Sequence, residues 1–339
     1  MEGNAGLENK EKTQSLERSF LQRVEDRFNL AFGEVLQEDK PQIHAEPFLY
    51  LHKTRKDSEL LDEEIEKADI YIPEVFGWRP KDLKLLRKAS SAEISRTELT
   101  EKLKGRSASF RRTAEDVYDS QKAIAIIDVP ANHQLKKESD AIWNYDPPYE
   151  GGFSEALNYT RTFLDNIASH LNKREEYILS QITPEKVEEL LHIYPLLKDK
   201  KTIKILLSIG LGHSLVPPDY PESTFTDQGI ITRRLNREVD DDLAAKIFLE
   251  SFFDALAYTE HMGSLLTNDS RKLAMLKRKI IGELNLEDAQ RIFNSNKGQE
   301  IFIFPRTEFY RIFNEKGIKK IPSTEKELDE FLAKPPADE

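Results

Sequence analysis

The chain contains no cysteine in 339 residues. That absence removes disulfides, thiolate zinc sites and cysteine nucleophiles together, so any metal must rest on His, Asp or Glu. No stretch approaches the roughly 20 consecutive apolar residues that a membrane span requires, so no span is expected. The N-terminus, MEGNAGLENKEKTQSLERSF, lacks the apolar core of a signal peptide, which makes a cytoplasmic address the expectation. An excess of positive charge is also missing: the net charge is -11, which argues against nucleic acid as the partner of the chain as a whole. There is no P-loop, no GxGxxG and no GxSxG elbow, since KGRSAS and HMGSLL hold glycine and serine without the required spacing. No nucleotide cofactor is expected.

One segment runs against the acidic average. Between Arg79 and Arg112 there are eleven Lys or Arg and four Asp or Glu. A phosphate-binding patch of the single-strand type needs aromatic residues interleaved with the charges, and these are nearly absent, so the segment reads as a solvated helical face.

Hydrophobic patterning divides the rest. Phe20, Val24, Phe28 and Phe32 recur at helical spacing within Leu16 to Leu36. Ala45 to His52 and Asp69 to Val75 read as strands, with Asp57 or Ser58 capping a helix between them whose stripe is Leu61, Ile65 and Ala68. Lys81 to Val117 reads as mostly charged helix, and Ala123 to Val129 as an apolar strand ending in Asp128. A loop with Pro147-Pro148 and Gly151-Gly152 precedes one long helix, Ser154 to Ile182; Thr183-Pro184 then starts another. Thr202 to Pro218, TIKILLSIGLGHSLVPP, is a near-continuous apolar run closed by glycines and a histidine. Such runs belong to strands covered on both faces. Helices over Asp240 to Leu266 and Arg271 to Asn294, a late strand EIFIFP at 300 to 305, and helices around Thr307 to Asn314 and Thr324 to Leu332 complete the chain. Alternating strands and helices up to about residue 213 predict an α/β fold with a mainly parallel central sheet flanked by helices and a helical C-terminal extension.

Ligands of open α/β sheets gather at the carboxyl ends of the strands. By that rule His52, Glu74, Asp128 and His213 are the candidates. Two imidazoles and a carboxylate are the ligand types of a catalytic divalent-metal site. Each has a plainer reading, as a satisfied loop histidine or a salt-bridge acceptor at a strand end. Asp128 could be a ligand or could support a histidine through a hydrogen bond. Arg174 is more pointed. The apolar stripe Leu157, Leu164, Ile167, Leu171, Ile178 and Ile182 places it on a core-facing position, where a guanidinium must be paired or face a ligand. It either snorkels to the rim, binds an anion, or orients the carboxylate of Glu74. His261 reads as a packing histidine, and His133, His170 and His192 have no partner visible from spacing.

Three segments together resemble the TraB/PrgY-type domain, in the superfamily that includes the TIKI metalloproteases, the ChaN proteins and the erythromycin esterases. They are LYLHKTRKDSELLDEEIEKADIYIPE at Leu49 to Glu74, HLNKREEYILSQI, and ILLSIGLGHSLVPP. The resemblance implies that His52 and His213 bind a divalent ion such as Mn²⁺, Co²⁺ or Zn²⁺. It implies that Glu74 acts as ligand or general base, and that Arg174 stabilises developing charge or fixes Glu74. Leu49 stands where the family's first Gly-x-x-His block has glycine. The implied organisation is a polar N-terminus with an amphipathic helix at 1–40, a TraB-like core at 41–235 and a mostly helical region with a late strand at 236–339. The implied activity is metal-dependent hydrolysis of a peptide or a small-molecule ester. The alternative is a non-catalytic binding or regulatory module that keeps the fold without the metal.

Overall fold

The computed structural model describes residues 20–50, 55–143, 151–210, 240–249, 270–295, 306–318, 322 and 324–333. The chain divides into two compact units, one drawn from Met1–Ser139 and His170–Pro221, the other from Asp140–Ser169 and Glu222–Glu339.

The first unit is built on four parallel strands: β1 (Gln42–Tyr50), β2 (Ile70–Ile72), β3 (Ala123–Ile124) and β4 (Thr202–Gly210), in the order β1-β4-β2-β3. The α/β expectation is met. Alternation along the strands sends side chains to two separate cores, as period-2 geometry requires. Ile43, Ile70, Ile72, Ile203, Ile205 and Leu207 pack in one cluster, with α1 (Phe20–Leu36) and α8 (Pro184–Ile193). Tyr71, Ile124, Ile126 and Leu206 pack in the other, with α2 (Arg55–Lys67), α3 (Pro80–Ser90), α4 (Arg96–Leu103) and α5 (Ala108–Ser120). Phe20, Phe28 and Phe32 of α1 are fully buried, as the helical spacing predicts. Each such side chain contributes roughly 1.5–3 kcal/mol by leaving water. Tyr71 buries its phenol in the second core; burial first, and then the charge of Asp116, push its pKa upward.

Several boundaries differ from the patterning, each for a physical reason. The segment 81–117 is three helices, because Ser95 and Ser107 each accept from the backbone amide three residues on and restart the helix. The predicted Asp57 or Ser58 cap is corrected: α2 begins upstream of both, at Arg55. The strand predicted over Asp69 to Val75 spans only Ile70–Ile72. Pro73 has no N–H to continue the ladder. Losing that partner, β3 pairs only through Ala123–Ile124, although 125–129 stay buried. Thr183 caps α8 with Pro184 at its first turn, as predicted.

Edge strand β1 is covered on its open side. In β1 the amide of Gln42 bonds towards β4, to the Lys201 carbonyl at 2.8 Å, so the odd-numbered amides face outward. Asn29 Oδ1 accepts from Ile43 N at 3.2 Å and Glu25 Oε2 from Ala45 N at 2.8 Å, and the next outward position is Pro47. Two α1 side chains and a proline thus occupy a row that would otherwise template strand addition.

Two further helices lie before β4: α6 (Gln134–Trp143) and α7 (Phe153–Ser180), the long helix predicted to run from Ser154. In the second unit, a helical segment at 241–249 and α9 (Ser270–Gly282), α10 (Leu286–Ser295), α11 (Arg306–Glu315) and α12 (Glu325–Leu332) share one apolar cluster that includes Phe248, Phe293, Phe309 and Phe313. The helix predicted over Arg271 to Asn294 is broken after Gly282, where Asn285 and Asp288 exchange hydrogen bonds of 3.0 Å that start α10 afresh. The EIFIFP strand at 300–305, and Phe252, Phe253 and Met262 of the preceding helix, lie outside the described residues. Among the described residues no helix is long and apolar enough to cross a membrane.

Candidate functional site

All four strands run the same way, so their carboxyl ends share one edge of the sheet. Glu74 lies two residues past β2 and Asp128 four residues past β3 on that edge. Arg174 reaches it from α7. Its Nε donates to Asp128 Oδ1 at 3.0 Å, and its Nη2 donates to Asp128 Oδ2 at 2.6 Å and to Glu74 Oε1 at 2.9 Å. The Arg174 and Asp128 side chains are 8% and 5% exposed, while Glu74 keeps 18%, so the edge of the cluster that meets solvent is Glu74. The core-facing placement of Arg174 and its pairing with Glu74 therefore agree with the stripe on α7. The snorkelling alternative does not hold.

Burial by itself would lower the Arg174 pKa. The charges of Asp128 and then Glu74, with their hydrogen bonds, outweigh it and hold the guanidinium above its ordinary value. Phe76 covers the cation, with the guanidinium carbon 4.5 Å from its ring centroid. Lys136 Nζ lies 5.6 Å from the same ring.

The backbone around the cluster is pinned. Asp128 Oδ1 accepts from Val129 N at 2.7 Å and Oδ2 from Val75 N at 3.2 Å, and its carbonyl accepts from Trp78 Nε1 at 2.6 Å. Beyond the ladder the two chains pair again through Trp78 and Pro130, with Gly77 N donating to Val129 O and Ala131 N to Trp78 O, both at 2.8 Å. Glu74 and Asp128 thus lie between two tie points. Gly77 adopts φ +78°, and a Cβ there would meet Lys136 Cε at 2.7 Å. The positive φ is what calls for glycine, since the Lys136 side-chain end can move aside.

Alongside Arg174, α7 presents His170, which has no partner visible from spacing, and Tyr177, which the sequence pattern does not single out. His170 lies edge-on to Phe76 at 6.0 Å, and Tyr177 contacts the His133 ring at 4.5 Å. Burial, and then the charge of Asp128, raise the Tyr177 pKa, so its phenol keeps its proton. Residues 170, 174 and 177 stand four and three apart, the spacing of one helix face. That is the signal by which this polar stripe is recognisable inside an apolar one.

His52 and His213 lie outside the described residues. The residues they follow are paired: Tyr50 of β1 is the register partner of Gly210 of β4. Among the described residues, no group of three or more His, Asp or Glu is placed to hold a metal ion. Asp128 contacts Arg174 and two amides, not a histidine, in the bonds described above. In the basic segment, Arg87 pairs with Glu189, Arg96 with Asp119 and Arg106 with Asp82, and Lys102 and Lys104 pair with Glu98 and Glu101. These are charges of a solvated surface tied to neighbouring acids. No protein-family model, no curated protein and no solved structure matches the chain.

Proposed function

We propose that this protein is a metal-dependent hydrolase of peptide or ester bonds, with its site at the carboxyl edge of the parallel sheet. The observation that supports this best is the buried Arg174, which holds Glu74 at that edge with a 2.9 Å bond while giving Asp128 two more. Glu74 is the group that accepts a proton from the attacking water. Arg174 is shared between two carboxylates, so of its two implied roles the holding of Glu74 is favoured over the binding of a substrate oxyanion. Asp128 is committed to Arg174 and to two amides. A divalent ion, Mn²⁺, Co²⁺ or Zn²⁺, would therefore rest on His52 and His213, and would supply a bound water of lowered pKa.

The second reading is a non-catalytic binding module. Leu49 in the glycine position of the first histidine block favours it, because a close-approach turn is harder to form there. One experiment separates the two. Full-length protein purified after metal supplementation is analysed for metal content and assayed on peptidase and ester substrates, beside His213→Ala and Glu74→Ala. The hydrolase reading expects about one metal per chain, lost in His213→Ala, and a turnover that falls by about 10²–10⁴ in Glu74→Ala. Absence of both stoichiometric metal and cleavage overturns it and leaves the binding module.

A further inference from the structure

The geometry points to Asp128 as the positioning residue of this site, a single carboxylate that fixes Glu74 from both ends. The backbone end is held because Asp128 Oδ2 accepts from Val75 N, the amide directly after Glu74, at 3.2 Å. The side-chain end is held through Arg174, whose fork gives Asp128 two bonds and Glu74 one. A fork engaged twice on one carboxylate has its plane fixed, so the direction of the second Nη2 N–H, the one that reaches Glu74, is fixed as well. Asp128 is itself immobilised by Val129 N and, at its carbonyl, by the Trp78 indole. Phe76 closes one side of the guanidinium. The result is a guanidinium-shaped cradle of two carboxylates and a ring, in which Asp128 never needs to meet a substrate to govern where Glu74 points. Only the activity part of the test rests on the hydrolase reading.

The cradle supplies its own probe. In Arg174→Ala, added guanidinium ion should enter the vacated place, and the Trp78 indole N–H, hydrogen-bonded to Asp128, should report it as a ¹⁵N–¹H signal that a Trp143→Phe background leaves alone in the spectrum. The expected result is a signal displaced in Arg174→Ala and returned saturably by millimolar guanidinium. The apparent affinity should fall about tenfold or more when Asp128→Asn is added and by a smaller factor when Glu74→Gln is added, since Asp128 makes two bonds to the guanidinium where Glu74 makes one. Where the wild type hydrolyses a substrate, kcat should recover over the same guanidinium range, with KM within about twofold. Equal losses from Asp128→Asn and Glu74→Gln, or a kcat in Asp128→Asn equal to wild type, overturn the proposal. If Arg174→Ala does not fold, Arg174→Lys takes its place, because a point charge lacks the fork: it should keep the fold and still displace the Trp78 signal, and an undisplaced signal overturns the proposal too. Absence of turnover in the wild type removes the hydrolase reading alone and leaves the indole measurement to decide.

Discussion

Replacing Arg174 by methionine keeps most of the side-chain volume and removes the cation bonded to both Asp128 and Glu74. The loss includes its two bonds to Asp128 and its bond to Glu74. Removing one member of a buried ion pair costs about 3–5 kcal/mol, mostly through the charge left behind. Here the lower end applies. Asp128 keeps the Val75 and Val129 amides, and Glu74, 18% exposed, regains water. The expected loss is therefore about 3 kcal/mol, and adding Asp128→Asn should return about 1–2 kcal/mol of it, because the stranded charge is then gone. Urea unfolding of the full chain, followed by the fluorescence of Trp78 in a Trp143→Phe background, reads the first unit selectively, since residue 143 belongs to the second. A single variant within about 1 kcal/mol of wild type, or a double variant less stable than the single, would refute the reasoning that the buried carboxylates need this cation.

Other perturbations probe the same frame. Glu25→Ala with Asn29→Ala strips the acceptors from Ala45 N and Ile43 N, and should both lower stability and promote self-association, seen as a larger species in light scattering. Gly77→Ala puts an L residue at a φ of +78° and should destabilise the chain by about 1–2 kcal/mol in the same urea assay. Glu189 is partly buried, which alone would raise its pKa, but Lys186 and Arg87 outweigh burial and hold it below the usual carboxylate range. Its stabilising contribution is present above the ordinary glutamate pKa and is lost as pH falls through the folded value. Wild type should then exceed Glu189→Gln in stability at pH 7, with the gap closing in acid; a gap that widens in acid would contradict the assignment. Thr183→Ala removes the acceptor for Lys186 N and should cost about 1 kcal/mol, measurable by thermal unfolding.

Much of this architecture is visible in the chain, and the misses have common causes. A continuous apolar run announces β4, because a strand buried on both faces has little polar side to show, whereas β1, with Gln42, His44 and Glu46 exposed, is recognisable only in part. Arg174 was legible because an apolar stripe makes a polar intruder conspicuous, and Glu74 because it follows a strand. The bond joining them, and the larger share of the fork taken by Asp128, depend on strands 50 residues apart being neighbours in the sheet, which no local pattern encodes. His170 and Tyr177 escaped notice because each looks ordinary until helix phase and Phe76 or His133 are considered together. Helix breaks at Ser95, Ser107 and Asn285 were missed where charged residues blurred the apolar period while short polar caps reset it.

The strand order also governs how this protein can come into being. β4, which enters the sheet between β1 and β2, begins at Thr202, and its partner in β1 is Gln42. Until that late segment has emerged from the ribosome, β1 and β2 have no strand to join them, and a nascent chain ending before it holds two unconnected halves of a sheet. The central ladder must close a loop of that whole length, a slow step with a high entropic barrier. The apolar faces waiting for it are exposed during synthesis. Truncation of the chain anywhere before residue 202 should accordingly yield aggregate rather than a smaller domain.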